Sequence, residues 1–245
     1  MKKLILVISL LISQLAFGIT GAEILKKMDD LGSLESDGTA KVRITTQKTG
    51  QAAKVQDMQW FRQDSTDSFL IIIQSPAAEK GNGYLKNGDN LWLYKKNTRT
   101  FQFINSSESI GGSGATADDF DEKTLSEEYT VVGKIEELKL GSRDVYKFEV
   151  KGRNKNVKDP KRIYWVDKAT FLPLRQQNFS LSGTLLETIE YSKYSKVAKS
   201  FVAGLIKVTD EFDKGNITIV EISAFSTDKI DSKVFTKAYL ENLSK

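Results

Sequence analysis

The sequence predicts a mainly β protein with helices, an α+β fold with a strongly curved antiparallel sheet of about eleven strands. Three observations support this class. Apolar and polar residues alternate with a period of two from Lys41 onward, turn-forming residues separate the alternating segments, and helical periodicity is confined to the start, middle and end. Because open sheets rarely exceed about ten strands, we expect the sheet to close around an interior that holds either a helical plug or a hydrophobic ligand cavity.

The N-terminus predicts export. Met1-Lys2-Lys3 is positively charged, residues 4–15 are mostly apolar, and Ala16-Phe17-Gly18 matches a signal-peptidase site. The apolar run is shorter than the roughly 20 residues that cross a bilayer, which favours a cleaved signal over an uncleaved anchor. We therefore expect a signal peptide at 1–18, cleavage near Gly18, and one periplasmic domain at 19–245. Because no cysteine follows the cleavage site, we expect a soluble product rather than a lipoprotein.

The composition excludes several kinds of enzyme. The 245 residues include no histidine and no cysteine, which rules out Ser-His-Asp and Cys-His nucleophile systems and most zinc sites. Carboxylate pairs, a Ser-Lys dyad or an oxygen-ligated cation remain, and only weak local signals support them. We expect a protein that is not an enzyme and has no cofactor. The net charge of +4 and the exported location also argue against a nucleic-acid partner.

The first elements follow from periodicity. Apolar residues at i, i+1, i+4 and i+7 predict an amphipathic helix over 22–31, which Gly32 and Ser33 end. Strands are predicted from Lys41 and over 55–62. The segment 69–73 is apolar without alternation, so we expect a strand that is covered on both faces.

A hairpin signal follows. Segments 84–86 and 89–94 flank Asn87-Gly88, a sequence that favours a tight hairpin turn, and 99–104 reads as the next strand. Residues 105–128 are interpreted as a long loop with a short helix around 118–125. Its glycines lack the remaining residues of a nucleophile elbow or a phosphate-binding loop.

Further alternating segments predict strands at 129–135, 144–150, 162–166, 173–179, 185–191, 204–212 and 217–225. A short helix is predicted in the tail, within 231–243. The basic residues of 151–162 lie in a predicted hairpin connection, which is either an ordinary charged loop or a surface for anionic lipid headgroups or an acidic partner.

Several short motifs resemble those of the outer-membrane lipoprotein-sorting proteins, the LolA-like superfamily. They occur in order along nearly the whole mature chain: Lys80-Gly81-Asn82-Gly83-Tyr84-Leu85, Asp89-Asn90-Leu91-Trp92-Leu93-Tyr94, Tyr164-Trp165-Val166-Asp167, Leu172-Pro173-Leu174-Arg175 and Glu190-Tyr191-Ser192. The resemblance implies an incomplete barrel, closed by a helical lid, that carries lipoprotein acyl chains or related lipids across the periplasm. An inner-membrane transporter as donor and an outer-membrane acceptor would be its partners.

Within that framework we hypothesise a set of cavity residues and a set of lid residues. The cavity set is Val42, Ile44, Trp60, Phe69, Ile71, Trp92, Tyr94 and Phe103. The lid set is Gly111, Gly112, Gly114 and Phe120. Two alternatives remain open at this point: a module that senses lipids or lipoproteins without transporting them, and a hydrolase built on carboxylates.

Overall fold

A computed structural model describes residues 18–34, 36–108, 110, 124–155 and 157–243. These residues form three α-helices: α1 (Gly21–Gly32), α2 (Leu125–Glu128) and α3 (Lys237–Leu243). The strands are β1 (Gly38–Gln47), β2 (Lys54–Gln63), β3 (Ser68–Ser75), β4 (Gly83–Asn87), β5 (Asn90–Lys95), β6 (Thr100–Phe103), β7 (Tyr129–Leu140), β8 (Arg143–Gly152), β9 (Lys161–Asp167), β10 (Pro173–Phe179), β11 (Leu185–Val197), β12 (Ser200–Asp210) and β13 (Ile217–Ser226). No helix among the described residues is long and apolar enough to span a membrane.

All of these strands belong to one antiparallel sheet, with the order β6-β5-β4-β3-β2-β1-β13-β12-β11-β10-β9-β8-β7. Only the β1–β13 pairing joins strands that are distant in sequence, and β6 and β7 are the two edges of the sheet. The mainly β, antiparallel class is thus confirmed. The expected total of about eleven strands was too low, since the sheet has thirteen. Every predicted segment pairs, including the short β4 and β6.

The β4–β5 hairpin forms where the sequence predicts it, but its turn lies one residue later. Asn87 pairs with Asn90, which leaves Gly88 and Asp89 as the loop. Gly88 has a φ of 54°, whereas Asp89 has no positive φ. Positive φ at only the first loop position fits a type II′ turn, for which glycine is the preferred residue.

Helix α1 lies over the last strands of the sheet. Thr20 and Glu23 form a reciprocal capping box at its start. Ile24 and Leu25 are buried in a core shared with Phe148 on β8 and other residues of β7–β9. The helix contacts both β7 and β12, so it bridges the strands that lie between them.

Two further cores occupy opposite faces of β3–β5. On the inner face, Ile71 and Tyr84 pack with Ile104 and Ile110, which follow β6. On the outer face, Leu70 and other residues pack against the tail, which is a short 3-10 helix (Ser232–Phe235) followed by α3. Strand β3 is therefore covered on both faces, as its unbroken apolar run predicts.

Candidate functional site

A cavity of about 440 Å³ lies on the inner face of the sheet, beside the packed inner core that contains Ile71 and Tyr84. Its walls come from β1, β2 and β9–β13, and from Gly32 and Leu34, which follow the buried part of α1. This size lies within the roughly 300–1,000 Å³ typical of small-molecule sites. The inner face of the sheet thus contains a pocket that the packed inner core does not fill.

One wall of the cavity is apolar. The sheet register pairs Ile206 with Val220 and Val42 with Ile222, and all four side chains line the cavity. Because side chains alternate across a strand, residues two apart share this face, as Thr218, Val220 and Ile222 do on β13 and Ile206 and Val208 do on β12. The apolar wall is therefore set by the register of β1, β12 and β13, and Phe225 extends it toward Trp60.

Trp60 stands between the apolar wall and the packed inner core. Its ring centroid lies 6.1 Å from that of Phe225 in a tilted arrangement. The residue is only 9% exposed, and its indole nitrogen has no hydrogen-bond partner among the described residues. A buried N–H without a partner is costly, so Trp60 brings a hydrogen-bond donor to the lining of the cavity.

The opposite wall carries a buried ion pair. The Arg162 Nη2 lies 2.7 Å from the Asp159 Oδ2, and the two side chains are 13% and 7% exposed. The guanidinium also stacks over the Tyr129 ring at 4.5 Å from its centroid. Burial alone would lower the pKa of Arg162, but its interactions with Tyr164 and Asp159 raise the pKa above the ordinary value. Arg162 therefore stays charged beside the cavity.

A chain of hydrogen bonds runs along β10 and β11 next to this pair. The Tyr191 hydroxyl donates to Gln176 Oε1 at 2.9 Å, and Gln176 Nε2 donates to Asn178 Oδ1 at 2.6 Å. The chain ends where Asn178 Nδ2 donates to Glu187 Oε2 at 3.2 Å. All four side chains line the cavity, and we call them the amide relay.

The structure places the predicted cavity residues in three environments. Val42 and Trp60 line the cavity. Three others share the packed inner core with them: Ile44, Phe69 and Ile71. The remaining three belong to the outer face: Trp92, Tyr94 and Phe103.

The strand register explains why Trp92, Tyr94 and Phe103 lie on the outer face. Tyr84 on β4 points inward and pairs with Leu93, so Leu91 and Leu93 face inward while Trp92 and Tyr94 face outward. Trp92 and Tyr94 belong to the outer core that the tail covers, and Phe103 is 63% exposed. They are therefore not part of the cavity wall. The predicted lid residues, Gly111, Gly112, Gly114 and Phe120, lie outside the described residues.

Sequence reasoning missed most of the wall contributed by β10–β13. The available signal was the spacing of apolar residues two apart, Ile189 and Tyr191 on β11 and Ile206 and Val208 on β12, which marks one face of each strand. The basic segment 151–162 also contributes to the cavity, because Arg162, at the start of β9, turns inward to Asp159. The residues that the structure describes hold no group of three or more Asp or Glu side chains suited to a metal ion.

The comparisons with known proteins agree with this architecture. The chain superimposes on a LolA superfamily protein from Nitrosomonas europaea with a TM-score of 0.75 at 22% identity, covering 91% of this chain and 100% of that one. An outer membrane lipoprotein-sorting protein domain from Vibrio parahaemolyticus gives 0.78 at 21% identity, covering 90% and 98%. A DUF1329 family protein from Desulfovibrio piger gives 0.79 at 18% identity, covering 90% and 97%.

At the level of sequence, no curated protein matches significantly. A family model described as "Uncharacterized protein" matches residues 65–242, which is more than half of the chain. The chain therefore belongs to this family, and it has the LolA-superfamily fold that the sequence predicts.

Proposed function

We propose that this protein is a periplasmic carrier that binds the acyl chains of lipoproteins or related lipids in its cavity and moves them toward the outer membrane. One observation carries the proposal: the inner face of β1, β12 and β13 presents a wall of aliphatic side chains to an unfilled cavity. Apolar surface in an open cavity is unfavourable in water, and an apolar guest would remove it from water. Burying an acyl chain recovers about 0.8 kcal/mol per CH₂ group, so a cavity of this kind gives useful affinity.

The carrier role is supported by the fold and by the sequence. The similar Vibrio structure is described as an outer membrane lipoprotein-sorting protein domain, which is consistent with acyl-chain cargo. The predicted signal peptide at 1–18 directs the chain to the compartment between the two membranes. No step of this role requires bond making, which agrees with the absence of histidine and cysteine from the sequence.

Binding can be tested with two matched isoleucines. Ile206 and Ile219 are both half-buried on neighbouring strands, but only Ile206 lines the cavity. In the chain from residue 19 onward, Ile206→Glu should weaken the binding of a fluorescent fatty acyl probe by about tenfold or more, because a carboxylate would enter the apolar wall. Ile219→Glu should leave probe affinity within about twofold. Equal affinities for wild type and Ile206→Glu would remove the cavity from the binding site.

Transport is tested separately from binding. Wild-type protein loaded with a fluorescent acylated peptide should deliver it to acceptor vesicles, and Ile206→Glu should deliver less in proportion to its lost binding. Tight binding without any delivery, even with membrane extracts added as donor and acceptor, would instead identify a lipid-sensing module.

A further inference from the structure

The position of the amide relay narrows the class of lipid that the cavity accepts. Gln176 pairs with Ile189 across β10 and β11, and Asn178 pairs with Glu187. On the next strand, Ile189 pairs with Val208, which belongs to the apolar wall. The relay is therefore continuous with the apolar wall, and a ligand that lies along that wall would bring its polar end to the two amides.

The relay is arranged to donate hydrogen bonds. The side-chain oxygens of Gln176 and Asn178 already accept from Tyr191 and from Gln176, respectively. Each side-chain NH₂ group has two protons, and the relay uses one of each. Gln176 and Asn178 are 6% and 2% exposed, so their remaining protons are largely shielded from water. Buried donors of this kind favour a guest that carries hydrogen-bond acceptors.

The charges around the cavity balance. Its lining contains the cations Arg62, Lys158 and Arg162 and the anions Glu128, Asp159 and Glu187, three of each. The Arg162 charge is neutralised by Asp159, and the relay ends on the carboxylate of Glu187. A ligand group with a full negative charge would therefore leave water for a lining that has no net positive charge to replace its hydration, whereas an uncharged carbonyl would lose much less.

From this arrangement we infer that the polar end of the cavity recognises the uncharged carbonyl of an acyl linkage, as in a glycerol ester or an N-acyl amide, in preference to a free carboxylate. This inference rests on the proposed function, since the acyl chain of the same ligand occupies the apolar wall. Beyond the proposed function, the inference states that the acyl linkage enters the cavity together with the acyl chain. There the side-chain NH₂ groups of Gln176 and Asn178 donate to the carbonyl oxygen of the linkage.

The test compares ligands of equal chain length. Monopalmitoylglycerol and palmitate would each displace an uncharged fluorescent naphthylamine probe from the protein at neutral pH. For wild type, the ester should displace the probe at a concentration about tenfold lower than palmitate does. In the double variant Gln176→Leu/Asn178→Leu, which keeps the approximate side-chain volumes, this preference should fall to about twofold or less while affinity for the uncharged probe is retained.

A second variant keeps the inference testable if the double variant does not fold. Glu187→Gln preserves the acceptor at the end of the relay but removes its charge, so palmitate should bind several-fold tighter while ester binding changes little. Equal displacement by both ligands in wild type, or an undiminished ester preference in a folded double variant, would overturn the inference and leave the proposed function intact. If wild type bound no apolar probe at all, the proposed function itself would fail.

Discussion

Strands β3 and β12 have similarly apolar sequences but very different surroundings. The first six residues of β3 are all buried, whereas ten of the eleven residues of β12 are half-exposed. The inner face of β3 is covered by Ile104 and Ile110, and its outer face is covered by the tail. The inner face of β12 borders the cavity.

This comparison shows that cover, rather than apolar content, decides where the cavity lies. At one end of the sheet, β3–β6, chain segments cover the inner face and form a solid core. In the rest of the sheet, α1 covers the β7–β9 region, and the strands from β10 through β13 to β1 and β2 border the cavity. We call these the filled half and the open half. The apolar side chains of the open half then remain available to a guest.

The largest expected effect is a difference in the free energy of unfolding between a substitution in the filled half and one in the open half. Ile71 on β3 is fully buried, so Ile71→Ala should lower the free energy of unfolding by about 2–5 kcal/mol through lost burial and a new void. Ile206 on β12 is half-exposed beside the cavity, and Ile206→Ala should cost only about 1 kcal/mol. Urea unfolding of both variants measures the difference. Equal losses would show that the open half is packed as tightly as the filled half.

The next prediction tests whether hydrogen bonds to a buried carboxylate stabilise the open half. At the end of β9, Asp167 accepts from Arg143 Nη1 at 3.0 Å and from the turn amides of Ala169 and Thr170 at 2.9 Å. Burial alone would raise the pKa of Asp167, but these hydrogen bonds outweigh burial and lower it below the ordinary value. Asp167→Asn should therefore lower the free energy of unfolding by about 1–3 kcal/mol at pH 7.

The sign of the pH dependence follows from the lowered pKa. A carboxylate with a depressed pKa contributes its full stability above the unfolded value, near 3.9, and loses it as the pH falls through the folded value. The gap between wild type and Asp167→Asn should thus be constant near neutrality and narrow below about pH 4. Asp144→Asn is the control, because Asp144 is 65% exposed in its pair with Lys139 and should change stability by less than about 1 kcal/mol. A gap that widened in acid would contradict this account.

The strands could be predicted from the sequence because alternation is a local property. The inward-facing side could not always be predicted, and β5 shows why. Its two faces are both apolar, with Leu91 and Leu93 on one and Trp92 and Tyr94 on the other. Alternation separates the two sets but does not tell which one meets the cavity side, because that depends on the strand register and on the tail that packs over Trp92.

The polar wall of the cavity was hidden from the sequence for a related reason. On β10, Gln176 and Asn178 alternate with Arg175 and Gln177, so both faces of the strand carry polar residues and alternation does not mark the inward face. In the structure Gln176 and Asn178 face the cavity. Phe179 lies on the other face, where the Lys161 ammonium is 4.2 Å from the centroid of its ring. A binding protein can place polar side chains on an inward face of a strand where its ligand, rather than its own core, contacts that face.

The smallest expected effect tests whether the two faces of the filled half act independently. The Lys237 ammonium lies 4.2 Å from the Trp92 ring centroid and 5.1 Å from that of Phe101, which fastens the tail to the outer face. Lys237→Ala should lower the free energy of unfolding by about 0.5–1 kcal/mol, and Lys237→Arg should retain most of the interaction. Neither variant should change acyl-probe affinity, because Trp92 belongs to the outer core and the cavity lies on the other face. A loss of probe affinity in Lys237→Ala alone would mean that the cover on the outer face controls the cavity, and that the filled half takes part in binding after all.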